Sequence, residues 1–391
     1  MTERELRRAL GRAAPEDPEA RERAWRVVRA AYADHAPRRR RRPWGLAAVV
    51  AALVVAGGAG GVAAASSDGG VGGWVRDVLG VGTREAEPAL GALPGGGRLL
   101  AHAGGSAWIV AADGSRRRLG DYAGSSWSPH GRFVLAWRGG TVSALERDGD
   151  VRWSLTRPER VTAARWGPVD GFRVAYVAGS ELRVVNGDGT GDRALASVLP
   201  GVAPAWRPGA SRWLAFADGE RRLKLLDVDT RQLAWRVALP AEPRALAWSP
   251  GGRRLLVVTG RRLLLYDARG RRVAARAVPG GTLVEDPAWS PDGRGIAAVR
   301  RDEATGRSEV LLLSPELRAT TLFAGPGRFG TPAWSPDARR LLVPWPAADQ
   351  WLYLRPGGDR LQAVAHIAGQ FAPGAAGPAF ADTVSWCCSR R

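Results

Sequence analysis

The chain has 391 residues, of which 45% are hydrophobic, so it can bury a core and is not globally disordered. Its net charge of +19 comes from arginines scattered along the chain, with Lys224 as the single lysine, and no nucleic-acid-binding motif accompanies them. We therefore expect no nucleic-acid partner. The two cysteines, Cys387 and Cys388, are adjacent, which excludes a disulfide framework and favours packing as their role.

Residues 1–43 are predicted to be a basic, helical, cytoplasmic segment. Four apolar residues follow the spacing of one helix face: Ala24, Val27, Val28 and Ala31. The segment ends in the run Arg38–Arg42, and a basic run of this kind holds the adjoining end of a membrane span in the cytoplasm. A cytoplasmic partner of residues 1–42 is kept as an option, and incidental contact of the run with anionic lipid is expected.

Residues 44–67 contain no charged side chain and are predicted to form a single transmembrane helix. At about 1.5 Å per residue, such a helix crosses roughly 30 Å of hydrocarbon. The predicted location is the cell membrane, with the N-terminus cytoplasmic and the rest extracytoplasmic. The stretch is rich in Gly and Ala, however, and Ala63-x-Ala65 resembles a signal-peptidase site, so cleavage and release stay as the alternative.

Residues 68–97 are rich in glycine and include Pro88 and Pro94, so they are predicted to be a linker.

The remaining residues, 98–391, are organised by a repeated motif. Trp-Ser-Pro occurs four times, and Trp-Gly-Pro and Trp-Arg-Pro are degenerate copies. The copies begin at Trp127, Trp166, Trp206, Trp248, Trp289 and Trp334. They lie about 40 to 45 residues apart, which is the length of one blade of a β-propeller.

Each repeat unit predicts four strands. The motif comes first, and its Pro and Asp-Gly residues favour a tight turn. Two apolar strands follow, as at Leu255–Val258 and Leu263–Tyr266 in one unit. A second turn, such as Asp148-Gly149, then leads to a more polar last strand. Four antiparallel strands per unit are the composition of a propeller blade.

The two ends of the repeat region complete one further blade. Residues 98–119 contain the last three strands of a unit, whereas Thr383–Cys388 contain a leading strand with its own tryptophan, Trp386. Joining them leaves no strand edge open in the ring. The predicted fold is therefore all-β, a seven-bladed β-propeller with six blades as the alternative. The motif tryptophans, including Trp386, are predicted to pack between neighbouring blades.

The motif Trp-Ser-Pro-Asp-Gly-Arg at Trp289–Arg294, followed by two apolar strands and an Asp-Gly turn, resembles the TolB-type, WD-repeat-like propellers of bacteria. The resemblance covers residues 98–388 and implies the propeller fold, which hosts many unrelated activities. The His and Trp-Asp signature of eukaryotic WD repeats is missing. The upstream layout resembles membrane-anchored actinobacterial envelope proteins, some of which look like membrane-bound regulators of sigma factors.

No motif for catalysis or metal binding is present. Gly-x-Ser-x-Gly, His-Glu-x-x-His and zinc-type cysteine pairs are all missing from the sequence. The four histidines fall in different units: His35, His102, His130 and His366. The segment Asn186–Asp192 faintly resembles a calcium loop, but it occupies the position of a strand-connecting turn. We therefore predict no catalytic residue, no cofactor and no metal.

The resulting functional prediction is a non-enzymatic, membrane-anchored, extracytoplasmic propeller that acts as a scaffold for an envelope protein, a peptide or a glycan. The alternative is an anti-sigma-like membrane regulator, with the helix of residues 18–34 as the cytoplasmic part and the propeller as the sensor. The zinc-binding His/Cys motif of many anti-sigma domains is missing from this sequence.

Overall fold

Nearly all the regular secondary structure in the described residues is β-strand. The computed structural model describes residues 90–168, 172–278, 282–283, 287–358, 361–371 and 377–388. The predicted cytoplasmic segment, the predicted membrane span and residues 68–89 of the predicted linker lie outside these ranges. Within them, no helix combines the length and the apolar character needed to cross a bilayer.

The strands form seven antiparallel sheets, which we call blades 1 to 7. Blade 1 contains β1 (Arg98–Ala103), β2 (Ser106–Val110), β3 (Arg116–Asp121) and β29 (Ala381–Cys387). Blade 2 contains β4 (Gly124–Trp127), β5 (Phe133–Arg138), β6 (Thr141–Glu146) and β7 (Val151–Thr156). Blade 3 contains β8 (Val161–Trp166), β9 (Arg173–Ala178), β10 (Glu181–Asn186) and β11 (Arg193–Ser197). Blade 4 contains β12 (Ala205–Trp206), β13 (Trp213–Ala217), β14 (Arg222–Asp227) and β15 (Leu233–Ala238).

Blades 5 to 7 follow the same order. Blade 5 contains β16 (Pro243–Trp248), β17 (Arg254–Thr259), β18 (Arg262–Asp267) and β19 (Arg272–Ala277). Blade 6 contains β20 (Thr282–Leu283), β21 (Ala288–Trp289), β22 (Ile296–Asp302), β23 (Arg307–Leu313) and β24 (Ala319–Pro326). Blade 7 contains β25 (Ala333–Trp334), β26 (Leu341–Trp345), β27 (Gln350–Leu354) and β28 (Leu361–Ala365), with a 3₁₀ turn at Pro346–Ala348 and a short helix α1 (Ile367–Gln370).

The prediction of seven blades is confirmed, and the alternative of six is wrong. Every blade begins with its tryptophan-bearing strand, which pairs with the second strand of the same blade. In blade 6 two short strands, β20 and β21, both pair with β22.

Ring closure occurs as predicted, between the two ends of the described region. β29 runs antiparallel to β1, with Trp386 opposite Leu99 and Ser385 opposite Leu100. The leading strands of successive blades also contact one another in an unbroken circuit that returns from β25 through β29 to β4. They are therefore the innermost strands of the ring.

The core of the propeller is divided among the blade interfaces. Seven clusters of buried apolar residues are found in the described structure, one between each pair of neighbouring blades. The side chains of a strand alternate between its two faces, so one strand supplies two interfaces. In β1, Leu99 lies in the cluster shared with blade 7, whereas Leu100 lies in the cluster shared with blade 2. Full burial of one such leucine contributes about 1.5–3 kcal/mol.

The loops of the meander emerge alternately on two faces of the ring. We call one the motif face, which carries the Trp-Ser-Pro turns and the turns between third and fourth strands. The other, the connection face, carries the turns between second and third strands and the links between blades. Leu90 and Leu93, in the segment predicted as linker, are buried against blades 7 and 1. The packed domain therefore includes residues upstream of Arg98.

Candidate functional site

All seven motif tryptophans pack against the blade that precedes them in the ring, each within or against the cluster of that interface. In five of them the indole also donates a hydrogen bond to the leading strand of the preceding blade. The acceptor is the backbone carbonyl of the residue just before that strand's motif tryptophan. These bonds run from Trp127 to Ser385, Trp206 to Arg165, Trp248 to Ala205, Trp289 to Ala247, and Trp334 to Ala288, at 2.9 to 3.2 Å. The motif thus joins each blade to its neighbour by packing and by a directional bond.

Two motif tryptophans depart from this rule. The indole of Trp386 donates instead to the carbonyl of Gly96, at 2.8 Å. The indole Nε1 of Trp166 is buried and has no hydrogen-bond partner in the described structure. Its ring contacts those of Phe133 and Phe172, with centroids 6.1 and 5.9 Å away.

The serine of Trp-Ser-Pro has a local structural role that sequence analysis missed. In the four complete copies the hydroxyl oxygen accepts a hydrogen bond from the amide five residues later, at 2.9 to 3.1 Å. The serines are Ser128, Ser249, Ser290 and Ser335. Each is buried, so the hydroxyl satisfies an amide that water cannot reach. The motif turn is therefore closed by a side chain.

A second set of tryptophans, also missed from the sequence, joins the outer parts of the blades. Trp153 on β7 donates to the carbonyl of Gly187 in blade 3, at 2.8 Å. Trp235 on β15 donates to the carbonyl of Ala268 in blade 5, at 3.0 Å. In both places the indole lies over the turn between the third and fourth strands of the next blade.

The structure does not assemble the histidines into one site. His35 lies outside the described residues, and His130 is in the motif turn of blade 2, on the face opposite the exposed loop that contains His366. His102 on β1 contacts the hydroxyl of Ser125 on β4 through Nε2, at 2.5 Å. Burial lowers the pKa of His102, and the nearby charge of Asp382 partly offsets this. The contact links blades 1 and 2.

The segment Asn186–Asp192 forms a hydrogen-bonded turn. The Asp188 carboxylate accepts from the amide and hydroxyl of Thr190, at 3.0 and 2.7 Å. Asp192 is buried and accepts from Tyr176 at 2.6 Å and from Arg183 at 2.8 Å. These oxygens are therefore engaged by protein donors. In the described ranges no group of three or more His, Cys, Asp or Glu side chains is placed to hold a metal ion.

Cys387 and Cys388 are bonded to each other through their sulfur atoms, whereas the sequence favoured packing as their role. They also pack closely, because a Cβ atom at Gly131 in blade 2 would lie 2.7 Å or less from both sulfurs. The pair thus lies at the end of the closing strand, against the motif turn of the next blade.

A cleft on the connection face lies between blades 1 and 2. Its volume is about 820 Å³. Four loops or strand ends border it, from the turn after β1 to the link before β8. Its lining residues are Gly104, Gly105, Ser106, Arg118, Asp121, Tyr122, Ala123, Arg138, Gly139, Gly140, Pro158 and Arg160. We call it the arginine cleft, after Arg118, Arg138 and Arg160.

The arginine cleft carries an excess of positive charge. Its one carboxylate, Asp121, accepts hydrogen bonds from Ser106 at 2.7 Å and from Arg118, and Arg138 lies 3.9 Å from it. The hydrogen bonds from Ser106 and Arg118 lower the pKa of Asp121, so it is ionised at neutral pH. Three guanidinium groups and one carboxylate leave the cleft with a net positive charge, which suits an anionic ligand.

Glycines keep the cleft open. The turns of blades 1 and 2 both contain a glycine pair, Gly104-Gly105 and Gly139-Gly140. Gly105 and Gly139 have φ of +76° and +54°, and a Cβ atom on either would meet nothing within 4 Å. Paired glycines in the same position of successive units are the sequence signal that could have pointed to this cleft.

A smaller cleft of about 330 Å³ lies between blades 2 and 3. It is aromatic, with Phe133, Trp153, Trp166 and Phe172 in its lining. Phe172 in this lining is 55% exposed.

No protein-family model matches the chain, and no curated protein does. Solved structures are similar in fold. A chain of the Mitotic Checkpoint Complex has a TM-score of 0.53 at 17% identity, over 66% of this chain and 85% of that one. The Cps50 (Swd1) beta-propeller domain of Myceliophteria thermophila has a TM-score of 0.50 at 14% identity, over 62% and 86%. Hydrazine synthase of Kuenenia stuttgartiensis has a TM-score of 0.50 at 15% identity, over 59% and 75%.

These identities are low, so the similarity concerns the fold alone. The matched structures include an enzyme, a chain of a complex and a beta-propeller domain, which agrees with a fold that hosts many activities. Together with the strand order, they show that the chain has the fold of a seven-bladed β-propeller.

Proposed function

We propose that the protein is a non-enzymatic scaffold, anchored in the cell membrane through residues 44–67, whose extracytoplasmic propeller binds a protein partner. The observation that carries the proposal is the arginine cleft, an open recess of about 820 Å³ on a closed ring. Its volume lies within the range of pockets that take ligands. A recess bordered by loops of a rigid scaffold is a common place for a binding site.

The closed ring supports a scaffold function because it fixes the borders of the cleft. Blade 1 is held between its two neighbours by buried clusters, and blade 2 likewise. The Trp127 indole also bonds to Ser385 of the closing strand, at 3.2 Å. A surface held in this way binds without a large ordering cost, which favours affinity.

The entry of the chain on the motif face supports the proposed arrangement at the membrane. Leu93 donates its amide to the carbonyl of Ala112 at 2.8 Å, and a Cβ at Gly95 would lie 3.2 Å from Ser335. The segment from the proposed span therefore reaches the propeller on the motif face. The arginine cleft opens on the opposite face, so a partner can approach it without competing with the anchor.

Proteolysis of cells tests the topology. A C-terminally tagged full chain should be cut by added proteinase K in spheroplasts with an intact inner membrane, while a cytoplasmic control protein survives. It should also sediment with membranes and resist extraction by carbonate. A propeller that is protected until detergent is added would contradict the extracytoplasmic location. A propeller recovered in the soluble fraction would contradict the anchor and favour cleavage at Ala63-x-Ala65.

Crosslinking in intact cells tests the binding function. The tagged chain should capture a defined protein that is lost when Arg138 and Arg160 are both changed to Glu. The matched control changes Arg261 and Arg262 to Glu. These exposed arginines lie where the second strand of blade 5 turns into the third, on the connection face but outside the cleft. A capture profile that is identical for both variants would overturn the proposal. The regulatory alternative depends on residues 1–42, which lie outside the described structure, and no structural observation favours it.

A further inference from the structure

We infer that the arginine cleft binds an extended, acidic segment of the protein partner, with Asp or Glu carboxylates held by Arg138 and Arg160. This inference rests on the proposed function and names the chemistry of the partner. The inferred site is formed by residues of neighbouring repeat units, and no single unit contains all of them. The fourth strand of blade 1, the second strand of blade 2 and the link to blade 3 meet at one recess.

The two outer arginines are available to a ligand. The Arg138 side chain is 68% exposed, and within the described structure its only ion-pair contact is the long one of 3.9 Å to Asp121, which contributes little in water. Arg160 is exposed, and the described structure places no carboxylate within ion-pair distance of it. Arg118, by contrast, is committed to Asp121 and Ser106. The cleft therefore holds one arginine that fixes its wall and two that can take carboxylates.

The arrangement of the charges favours a segment over a single small anion. The arginines lie on β3, on β5 and in the link before β8, and within the described structure Arg118 and Arg138 share Asp121 whereas Arg160 does not contact it. A phosphate site instead brings several donors to one point. The volume of about 820 Å³ also exceeds what one small anion fills. Guanidinium groups contributed by separate elements around one recess match carboxylates spaced along a peptide.

The other lining residues suit a peptide main chain. Gly105 and Gly139 present no side chain, so a ligand backbone can approach closely. Tyr122 and Pro158 supply apolar surface beside them. Burial raises the pKa of Tyr122, so its hydroxyl stays protonated at neutral pH and can donate to a carboxylate. Guanidinium groups bind carboxylates through two parallel hydrogen bonds, which gives direction as well as charge.

The test uses the full chain in detergent micelles and a fluorescein-labelled peptide of eight glutamates, measured by anisotropy at about 0.15 M NaCl, where distant charges are screened. Changing Arg138 and Arg160 to Glu should weaken binding at least tenfold. Changing Arg261 and Arg262 to Glu removes the same charge from the same face and should weaken it less than twofold. Equal losses in the two variants would show non-specific attraction to a basic protein and would overturn the inference.

A neutral variant separates shape from charge. Gly105→Asn places a side chain in the cleft without changing its charge, and Asn tolerates the positive φ at this position. We expect a loss of at least fivefold, with an unchanged tryptophan emission spectrum. Gly201→Asn is the control, since Gly201 also has a positive φ and open space, outside the cleft. Undiminished binding by Gly105→Asn would overturn the placement of the peptide.

Competitors distinguish the sources of negative charge. An octa-glutamine peptide, 10 mM inorganic phosphate and vesicles of phosphatidylserine should each displace the labelled peptide poorly. Displacement by phosphate or by the vesicles as effectively as by unlabelled octa-glutamate would assign the cleft to that ligand and overturn the inference. If crosslinking in cells still shows a cleft-dependent protein partner, the scaffold function stands while the acidic-segment inference fails.

Discussion

The indole Nε1 of Trp386 donates a hydrogen bond of 2.8 Å to the carbonyl oxygen of Gly96, although 290 positions separate the two residues in the chain. Five other motif tryptophans use the same nitrogen to join leading strands. In blade 1 the bond instead holds the segment before β1 onto the closing strand. This hydrogen bond joins the segment before β1 to the closing strand of the ring.

Replacing Trp386 by Phe should release that segment. The change removes the indole bond but keeps an aromatic ring beside Tyr353, whose centroid lies 5.9 Å away. We expect a loss of about 1 kcal/mol in the free energy of unfolding. Hydrogen exchange should quicken at the amides of Leu93 and Gly96, which bond within this region. Trp248→Phe is the control, and faster exchange of the same two amides in that variant would contradict the assignment.

The indole of Trp166, which has no hydrogen-bond partner in the described structure, allows the contribution of the indole bonds to be measured by comparison with Trp248. Trp166 and Trp248 are almost equally buried, at 8% and 7% exposure, but only Trp248 has an acceptor, the carbonyl of Ala205. Replacement by Phe removes similar volume from both interfaces. Trp248→Phe should therefore be the more destabilising by about 1 kcal/mol, because it alone leaves a carbonyl without its donor. Urea denaturation measures both, and equal losses would show that the indole bonds do not contribute.

The outer tryptophans predict a steric effect at Gly270. This glycine has φ of +78°, and a Cβ atom there would lie 2.7 Å from the ring of Trp235. Gly209 has φ of +69° with nothing within 4 Å. Alanine at either position bears the left-handed backbone cost of about 1–2 kcal/mol. Gly270→Ala should lose about 1–3 kcal/mol more, from the forced displacement of the indole. Thermal unfolding of the two variants measures the difference, and no difference would contradict the contact.

The surroundings of Asp218 predict that the free energy of unfolding depends on pH in the acidic range. Burial alone raises the pKa of this carboxyl, but hydrogen bonds from Lys224 and Arg222 outweigh that effect and lower the pKa to about 2. Because the pKa is lower in the folded state than in the unfolded chain, the contribution of Asp218 is complete above about pH 4. It is lost as the pH falls towards 2.

The comparison of wild type with Asp218→Asn measures this contribution. The difference in unfolding free energy should be about 2 kcal/mol at pH 5 and should shrink steadily towards pH 2. Asp148→Asn, which removes an exposed carboxylate, corrects for the general effect of one less negative charge. A difference that stays constant across this pH range would show that Asp218 acts by packing alone.

The blades could be predicted because each must bury the same face, so the same residues recur. Trp127 and Trp334 mark equivalent strands, and Trp386 supplies the strand that the first unit lacks. The pairing of two short strands, β20 and β21, with β22 could not be predicted in this way, because the repeat implies one leading strand. The serines of the motif recur visibly in the sequence, but their role as hydrogen-bond acceptors could not be predicted. That role depends on a turn that closes only in the folded structure.

The arginine cleft was not predictable from composition. Arg118, Arg138 and Arg160 belong to different units, and each alone resembles the many exposed arginines of this basic chain. Only the curvature of the ring brings them to one recess. The indole bonds to Gly187 and Ala268 likewise cross from blade to blade, so a single repeat contains one partner of each bond but never both.

The pairing of β29 with β1 has a consequence for synthesis. The ribosome makes Gly96 long before Trp386, and 290 residues at about 5–20 residues per second take roughly 15 to 60 s. Throughout that time β1 has one edge without its partner, and an unpaired edge is a template for association between nascent chains. Blade 1 is thus the first blade begun and the last completed, and any factor that guards this chain during synthesis should act on β1.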